Sequence, residues 1–188
     1  MPLPEPEAPR EPIHTRRIEC NGYRRADGLW DIEGHLVDTK AYGFDNQWRG
    51  HLVPGTPLHE MRLRLTIDDS YLVHAVAAAT DASPFEMCPA IVPNFQALVG
   101  LRIGKGWRKH VQERLGGVKG CTHLVELALG AMATAAFQTI VPLRDKNKSA
   151  GEKPAEDGRA GFLDTCHALA ADSPVVAAHW PEHYKAKI

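Results

Sequence analysis

Met61-Arg62-Leu63-Arg64-Leu65-Thr66-Ile67 places Met61, Leu63, Leu65 and Ile67 on one side of an extended chain and Arg62, Arg64 and Thr66 on the other. A period of two over this length predicts a β-strand with one buried and one solvated face. The same alternation recurs upstream, where Trp30, Ile32 and Leu36 oppose Asp31, Glu33 and His35. Four strand-like segments result: His14 to Tyr23, Leu29 to Tyr42, Glu60 to Ile67 and Tyr71 to Ala79. Turn residues separate them in Ala26-Asp27-Gly28, Pro54-Gly55-Thr56-Pro57 and Asp68-Asp69-Ser70. Connections this short favour an antiparallel meander of about four strands.

From Pro89 onward the period changes. Ile91, Phe95, Leu98 and Val99 repeat at helical spacing, Trp107, Val111 and Leu115 form a second stripe, and Leu124, Leu127, Ala131 and Ala135 a third. Strands followed by helices predict an α+β fold, with three or more helices packed on one face of the meander. The Pro- and Glu-rich residues 1–12 are expected to be a disordered arm, and 13–188 a single domain. A charged, aperiodic stretch at about 144–160 reads as a mobile surface loop.

The chain has 188 residues, with 22 Lys plus Arg against 23 Asp plus Glu, a formal net charge of -1. So balanced a charge lacks the basic field that phosphate neutralisation requires, which argues against a nucleic-acid partner. The N-terminus has no basic and apolar export signal, and the apolar runs read as interrupted before the ~18 residues of a membrane span. A cytoplasmic protein with a small-molecule partner is expected, and a homo-oligomer is compatible with it. In a reducing compartment the four cysteines should be free thiols, metal ligands or nucleophiles.

Cys88 precedes Pro89, a residue favoured in the first turn of a helix, so Cys88 is expected at an N-cap. Cys121 opens the helix beginning around Thr122. Helix N-termini stabilise thiolates, the form that binds metals and attacks electrophiles. The alternative is that both are small apolar residues filling helix ends. Cys20 reads as a core residue, and Cys166-His167 as an auxiliary pair.

Three runs carry a resemblance: Gly55-Thr56-Pro57-Leu58-His59-Glu60-Met61-Arg62-Leu63, Ser83-Pro84-Phe85-Glu86-Met87-Cys88-Pro89, and Gly120-Cys121-Thr122-His123-Leu124. With Arg24-Arg25-Ala26-Asp27-Gly28-Leu29-Trp30 they resemble the bacterial domain-of-unknown-function family number 2889 over nearly the whole chain from about Thr15. That resemblance implies no activity. The order of elements is also similar to that of the U-type iron-sulfur cluster scaffold proteins, with Gly55, Pro57 and His59 on the first motif and Cys88 and Cys121 on the later cysteines. His59 stands where that family has cysteine, Met61 where it has aspartate, and Gly120 where it has histidine.

What this second resemblance implies is a metal site of His59, Cys88 and Cys121, with His123 in reserve. One nitrogen and two thiolates suit zinc, with iron or no metal as the other options, and leave a position for water or substrate. Glu60 and Glu126 are then candidate bases for metal-assisted lyase or hydrolase chemistry on a small, aromatic or other organic substrate. A non-catalytic scaffold or carrier of metal or sulfur is the reading of another class.

The polar sheet face offers a different constellation. If the second and third strands pair with matched faces, Asp31, Glu33 and His35 lie beside Arg62 and Arg64, and Asp38 and Lys40 extend the surface. As solvated ion pairs they are worth about 0–1 kcal/mol each. As a site they would be a metal-free acid-base lyase, releasing for example a small aldehyde by retro-aldol cleavage, with an arginine binding a carboxylate or phenolate. The run Gly100-Leu101-Arg102-Ile103-Gly104-Lys105-Gly106 reads as a turn between helices.

Overall fold

The computed structural model describes residues 2–147 and 163–186. Two compact units divide the chain, one ending at Ile140 and the other beginning at Val141. In the first unit the strands are β1 (His14–Arg24), β2 (Trp30–Lys40), β3 (Phe44–Asn46), β4 (Gly50–Leu52), β5 (Pro57–Ile67) and β6 (Val73–Ala82). The four long ones form an antiparallel sheet in the order β1-β2-β5-β6, which is the expected meander. A separate hairpin, β3 with β4, occupies the connection between β2 and β5.

Residues of matching parity meet across the sheet: Trp30 is opposite Ile67, Ile32 opposite Leu65, and Leu36 opposite Met61. All six are buried. Over this apolar face lie a 3-10 helix (Cys88–Leu98), α1 (Trp107–Leu115) and a long helical rod. The rod consists of α2 (Thr122–Glu126), a π turn (Leu127–Ala131) and α3 (Met132–Asn147). Phe95, Leu98, Trp107, Val111, Leu115, Leu124 and Leu127 are buried as the helical stripes predict. Val99, placed on a stripe, is 39% exposed because the helix ends at Leu98.

Two glycines of the sheet let the rod approach closely. A Cβ on Gly34 would lie 2.8 Å from Met132 Sδ, and one on Gly22 only 1.9 Å from Thr139 Oγ1. The rod therefore crosses from β2 at Met132 to β1 at Thr139. Within the π turn the Ala128 carbonyl accepts a hydrogen bond from the buried Trp107 indole N–H at 2.8 Å. Residues Thr122–Leu143 are 22 in number with mean hydropathy 1.6, long and apolar enough to cross a membrane, which corrects the expectation that no stretch reaches ~18. Leu124, Leu127, Met132, Ala136 and Ile140 of that stretch are fully buried in the core, which accounts for its apolar character.

Two further expectations change and one holds. Met87, not Cys88, caps the 3-10 helix, and Cys88 is its first residue. Cys121 is the N-cap of α2, as expected, but its side chain makes no capping bond. The supposed loop at about 144–160 begins as helix, since α3 runs on to Asn147 through Pro142, and its remainder lies outside the described residues. In the second unit a 3-10 turn (His167–Leu169) precedes α4 (Pro174–His179), where the Ser173 hydroxyl accepts from Val176 N at 3.1 Å.

Candidate metal centre

Asp38 and Lys40 share the parity of Leu36, so they continue the helix-covered face and not the row of Asp31, Glu33 and His35. The expectation that Asp38 extends the charged face is thereby corrected: it is 2% exposed. His59 precedes Met61 by two and faces the same way. The register aligns Arg16 of β1 with Asp38 of β2 and Asp38 with His59 of β5, a row of three across the sheet. A bulge directly after Asp38 ends the regular pairing with β5. Bulges commonly re-aim side chains beside functional sites.

From above, the first turn of α2 brings His123 and Glu126 onto this row. Asp38 Oδ2 is 3.1 Å from His59 Nδ1 and 3.4 Å from His123 Nε2. The two imidazoles stack, with centroids 3.9 Å apart and planes inclined at 31°. Arg16 clamps the same carboxylate with two bonds, Nε to Oδ1 at 2.8 Å and Nη2 to Oδ2 at 2.7 Å. Its remaining Nη1 donates to Glu126 Oε2 at 2.5 Å, and His14 Nε2 lies 3.1 Å from Asp38 Oδ1.

Burial alone would raise the Asp38 carboxyl, but the Arg16 guanidinium outweighs it and holds the group down to about 2. Burial pushes His59 down to about 4, helped by the nearby His123, and burial followed by Arg16 lowers His123. Both rings are therefore neutral at pH 7, the form in which imidazole binds metals.

The three ligand atoms, one each from Asp38, His59 and His123, all lie within 4.8 Å of one another. A first-row ion held at about 2.0–2.2 Å by each ligand needs them about 3–3.5 Å apart. The carboxylate-to-imidazole distances of 3.1 and 3.4 Å meet that requirement. The cluster can coordinate a metal ion through two nitrogens and one oxygen. Arg16 acts behind it, fixing the carboxylate. Cys121 Sγ is 3.9 Å from the far nitrogen of His123, Nδ1.

The structure thus joins His59 and His123 of the sequence-derived set, adds Asp38, and keeps Cys121 beside them. Cys88, in the β6-to-α1 connection, joins no group of three ligand side chains among the described residues. All four thiols are free, and burial raises the Cys20 thiol. Glu126 is held by Arg16. Glu60 faces the opposite side of the sheet from His59, where its Oε1 is 3.0 Å from His35 Nε2 and accepts from Arg62 at 3.2 Å.

On that outer face the matched pairing of strands is as expected. Arg64 donates to Glu33 at 2.7 Å, Arg62 to Asp81 at 2.7 Å, and Thr66 Oγ1 to Asp31 at 2.6 Å. A cavity of about 390 Å³ lies over His35, Glu33, Tyr23, Arg62 and Arg64. On the other side of the sheet a second cavity, about 450 Å³, is lined by Arg108, Gln112, Thr122 and Glu126, the last of which also accepts from Arg16.

Residues 14–138 match the family model described as Protein of unknown function (DUF2889). The chain belongs to this family. The matched span runs from the start of β1 into α3, and holds Arg16, Asp38, His59, Cys121, His123 and Glu126. No curated protein and no solved structure gives a significant match, and no homology to the U-type iron-sulfur scaffolds is shown.

Arg16 does not appear among the residues singled out from the sequence, and Asp38 appears there only as an extension of the charged face. Asp38 carried a signal: an acid at a position whose parity belongs to the apolar face, opposite a histidine of equally anomalous parity. Arg16 carried none, because β1 has no apolar alternation from which its facing could be read.

Proposed function

We propose that this DUF2889 chain is a metal-binding protein that holds a divalent first-row ion on Asp38, His59 and His123. What carries the reading is the convergence of three ligand atoms from β2, β5 and α2 at coordination distances around a nearly inaccessible carboxylate. An ion there takes the place of the imidazole protons that face Asp38 Oδ2. Local charge favours a cation, since Asp38 and Glu126 outnumber Arg16. Two nitrogens and one oxygen suit zinc first and iron(II) second.

Holding or carrying the ion is favoured over catalysis, because Glu126, the candidate base that α2 brings to the row, is engaged by Arg16 at 2.5 Å and not presented as a base. Three protein ligands nevertheless leave positions for outside groups, so a small molecule with a donor atom is the partner we assign. To test the site, the protein is purified without a metal-affinity tag and its bound metal measured. Near-stoichiometric metal is expected in the wild type and in Cys88→Ser plus Cys121→Ser, and its loss in His59→Ala plus His123→Ala. Metal-free wild type, or full retention in the double histidine variant, refutes the assignment.

A second reading rests on the outer cavity of about 390 Å³ and the 3.0 Å contact of His35 with Glu60 at its edge. It is metal-free acid-base chemistry, with His35 moving the proton and Arg62 or Arg64 binding a carboxylate or phenolate. Turnover on that face would survive metal removal and be abolished by His35→Gln.

A further inference from the structure

β1 is an edge strand of 11 residues, and all of them except Cys20 are exposed. Its backbone divides by parity. The Ile13 carbonyl accepts from Ala41 N at 3.1 Å and Arg25 N donates to the Leu29 carbonyl at 2.9 Å, with unbroken register between. In an antiparallel pair alternate residues bond to one neighbour, so the odd residues of β1 bond to β2. The even residues, His14, Arg16, Ile18, Cys20, Gly22 and Arg24, then direct their N–H and C=O groups to the outer edge, where no described residue bonds to them. The opposite edge is treated differently: Gly100 N donates to Val73 O at 2.8 Å, Leu101 O accepts from Val73 N at 2.8 Å, and Gln96 Nε2 caps Val76 O at 2.8 Å.

An uncovered row of backbone donors and acceptors is a template for another strand. Side chains identify which one. On the outer face Arg17 has no hydrogen-bond or ion-pair partner among the described residues, while Glu19, two residues on, accepts only from Asn21 at 2.7 Å. On the helix-covered face Ile18, between them, is 40% exposed. Now let a second copy of β1 pair antiparallel about a two-fold axis at Ile18. Arg17 of each copy falls opposite Glu19 of the other, at non-hydrogen-bonded positions where side chains approach most closely. Ile18 meets Ile18. The even residues become the hydrogen-bonded pairs, as their free groups require. An axis at Arg17 or at Glu19 would instead set like charges opposite each other, and one at Cys20 would make no ion pair.

We propose that β1 is a dimerisation strand, through which two copies of this chain join edge to edge about Ile18 into one eight-stranded sheet. Pairing from His14 to Gly22 supplies up to about ten inter-strand hydrogen bonds.

Sedimentation equilibrium on the full chain tests this directly. The wild type should be dimeric, and Arg17→Glu or Glu19→Arg alone, each turning two attractive pairs into two repulsive ones, should raise the dimer dissociation constant by about tenfold or more. The double variant Arg17→Glu plus Glu19→Arg recreates the complementarity and should return to near the wild-type value. Amide exchange gives a second readout that also reports folding. Protection at Arg16, Ile18 and Cys20 should rise with protein concentration, while Arg17 and Glu19 stay protected throughout by β2. A wild type monomeric at about 100 μM, single variants as dimeric as the wild type, or a double variant no better than the singles would each overturn the proposal.

Discussion

Replacing Asp38 with Asn removes one charge and almost no volume from the point where Arg16, His14, His59 and His123 converge. The carboxylate is 2% exposed and accepts bonds of 2.8 and 2.7 Å from Arg16, so its loss leaves the guanidinium facing an amide. Removing one member of a buried pair typically costs 3–5 kcal/mol, but the Arg16 side chain is 32% exposed and keeps Glu126, which places the expected loss lower, at about 2–3 kcal/mol. The carboxyl value of about 2, against an ordinary 3.8, gives a similar figure of about 2 kcal/mol. For a chain of this size that lowers the melting temperature by roughly 5–10 °C. The assay is thermal or urea unfolding of metal-free protein, with chelator present, at several pH values. Because the folded carboxyl titrates below the unfolded one, its contribution is complete above about pH 4 and is lost as pH falls toward 2. The gap between wild type and variant should therefore narrow over that acid range. A loss below about 0.5 kcal/mol at pH 7, within the range of ordinary surface substitutions, would refute the claim that this carboxylate anchors the cluster.

Gly22→Ala should destabilise by about 1–3 kcal/mol, since its Cβ would sit 1.9 Å from Thr139 Oγ1, and Thr139→Ala should recover part of that loss in chemical denaturation. Asp68→Ala should cost about 1 kcal/mol, because in the β5-to-β6 turn Oδ1 accepts from Ser70 N at 2.8 Å and Oδ2 lies 2.7 Å from His74 Nε2. Asp68 is also held down to about 2, by Ser70 and His74 against the opposing effect of burial, so urea unfolding should show its advantage above about pH 4 and lose it on acidification toward 2.

The fold was legible where side chains alternate against a single buried face. Met61 to Ile67 and Trp30 to Leu36 gave strand, facing and pairing partner together. The centre lay in the same pattern, two residues beyond each of its ends, but charge obscured it: Asp38 was grouped with Asp31 and Glu33 by chemistry although its parity groups it with Leu36. Of the expected metal set, His59 and His123 meet in the cluster with Asp38, while Cys88 lies in no such cluster among the described residues, because a helix N-terminus says nothing about what faces it across the fold. β3 and β4 are three residues each, too short to display a period. The π turn was invisible because in an Ala-rich stretch neighbouring positions are equally apolar: the stripe expected at Ala131 and Ala135 is buried one residue on, at Met132 and Ala136.

That turn has a consequence for how the centre can be lost. A π turn holds one residue more than an α-helical ladder needs, which re-phases the helix upstream of it by about 100° relative to the helix downstream. Met132, Ala136 and Ile140 are buried downstream of Leu127–Ala131, while His123 and Glu126 lie upstream over Asp38 and Arg16. The turn that carries His123 thus has its own phase, in which Leu124 and Val125 enter the core while His123 and Glu126 face the sheet row. Deleting a single residue within the turn would swing His123 and Glu126 away from their partners and carry the buried Leu124 out of the core with them, so the cluster and this part of the core stand or fall together.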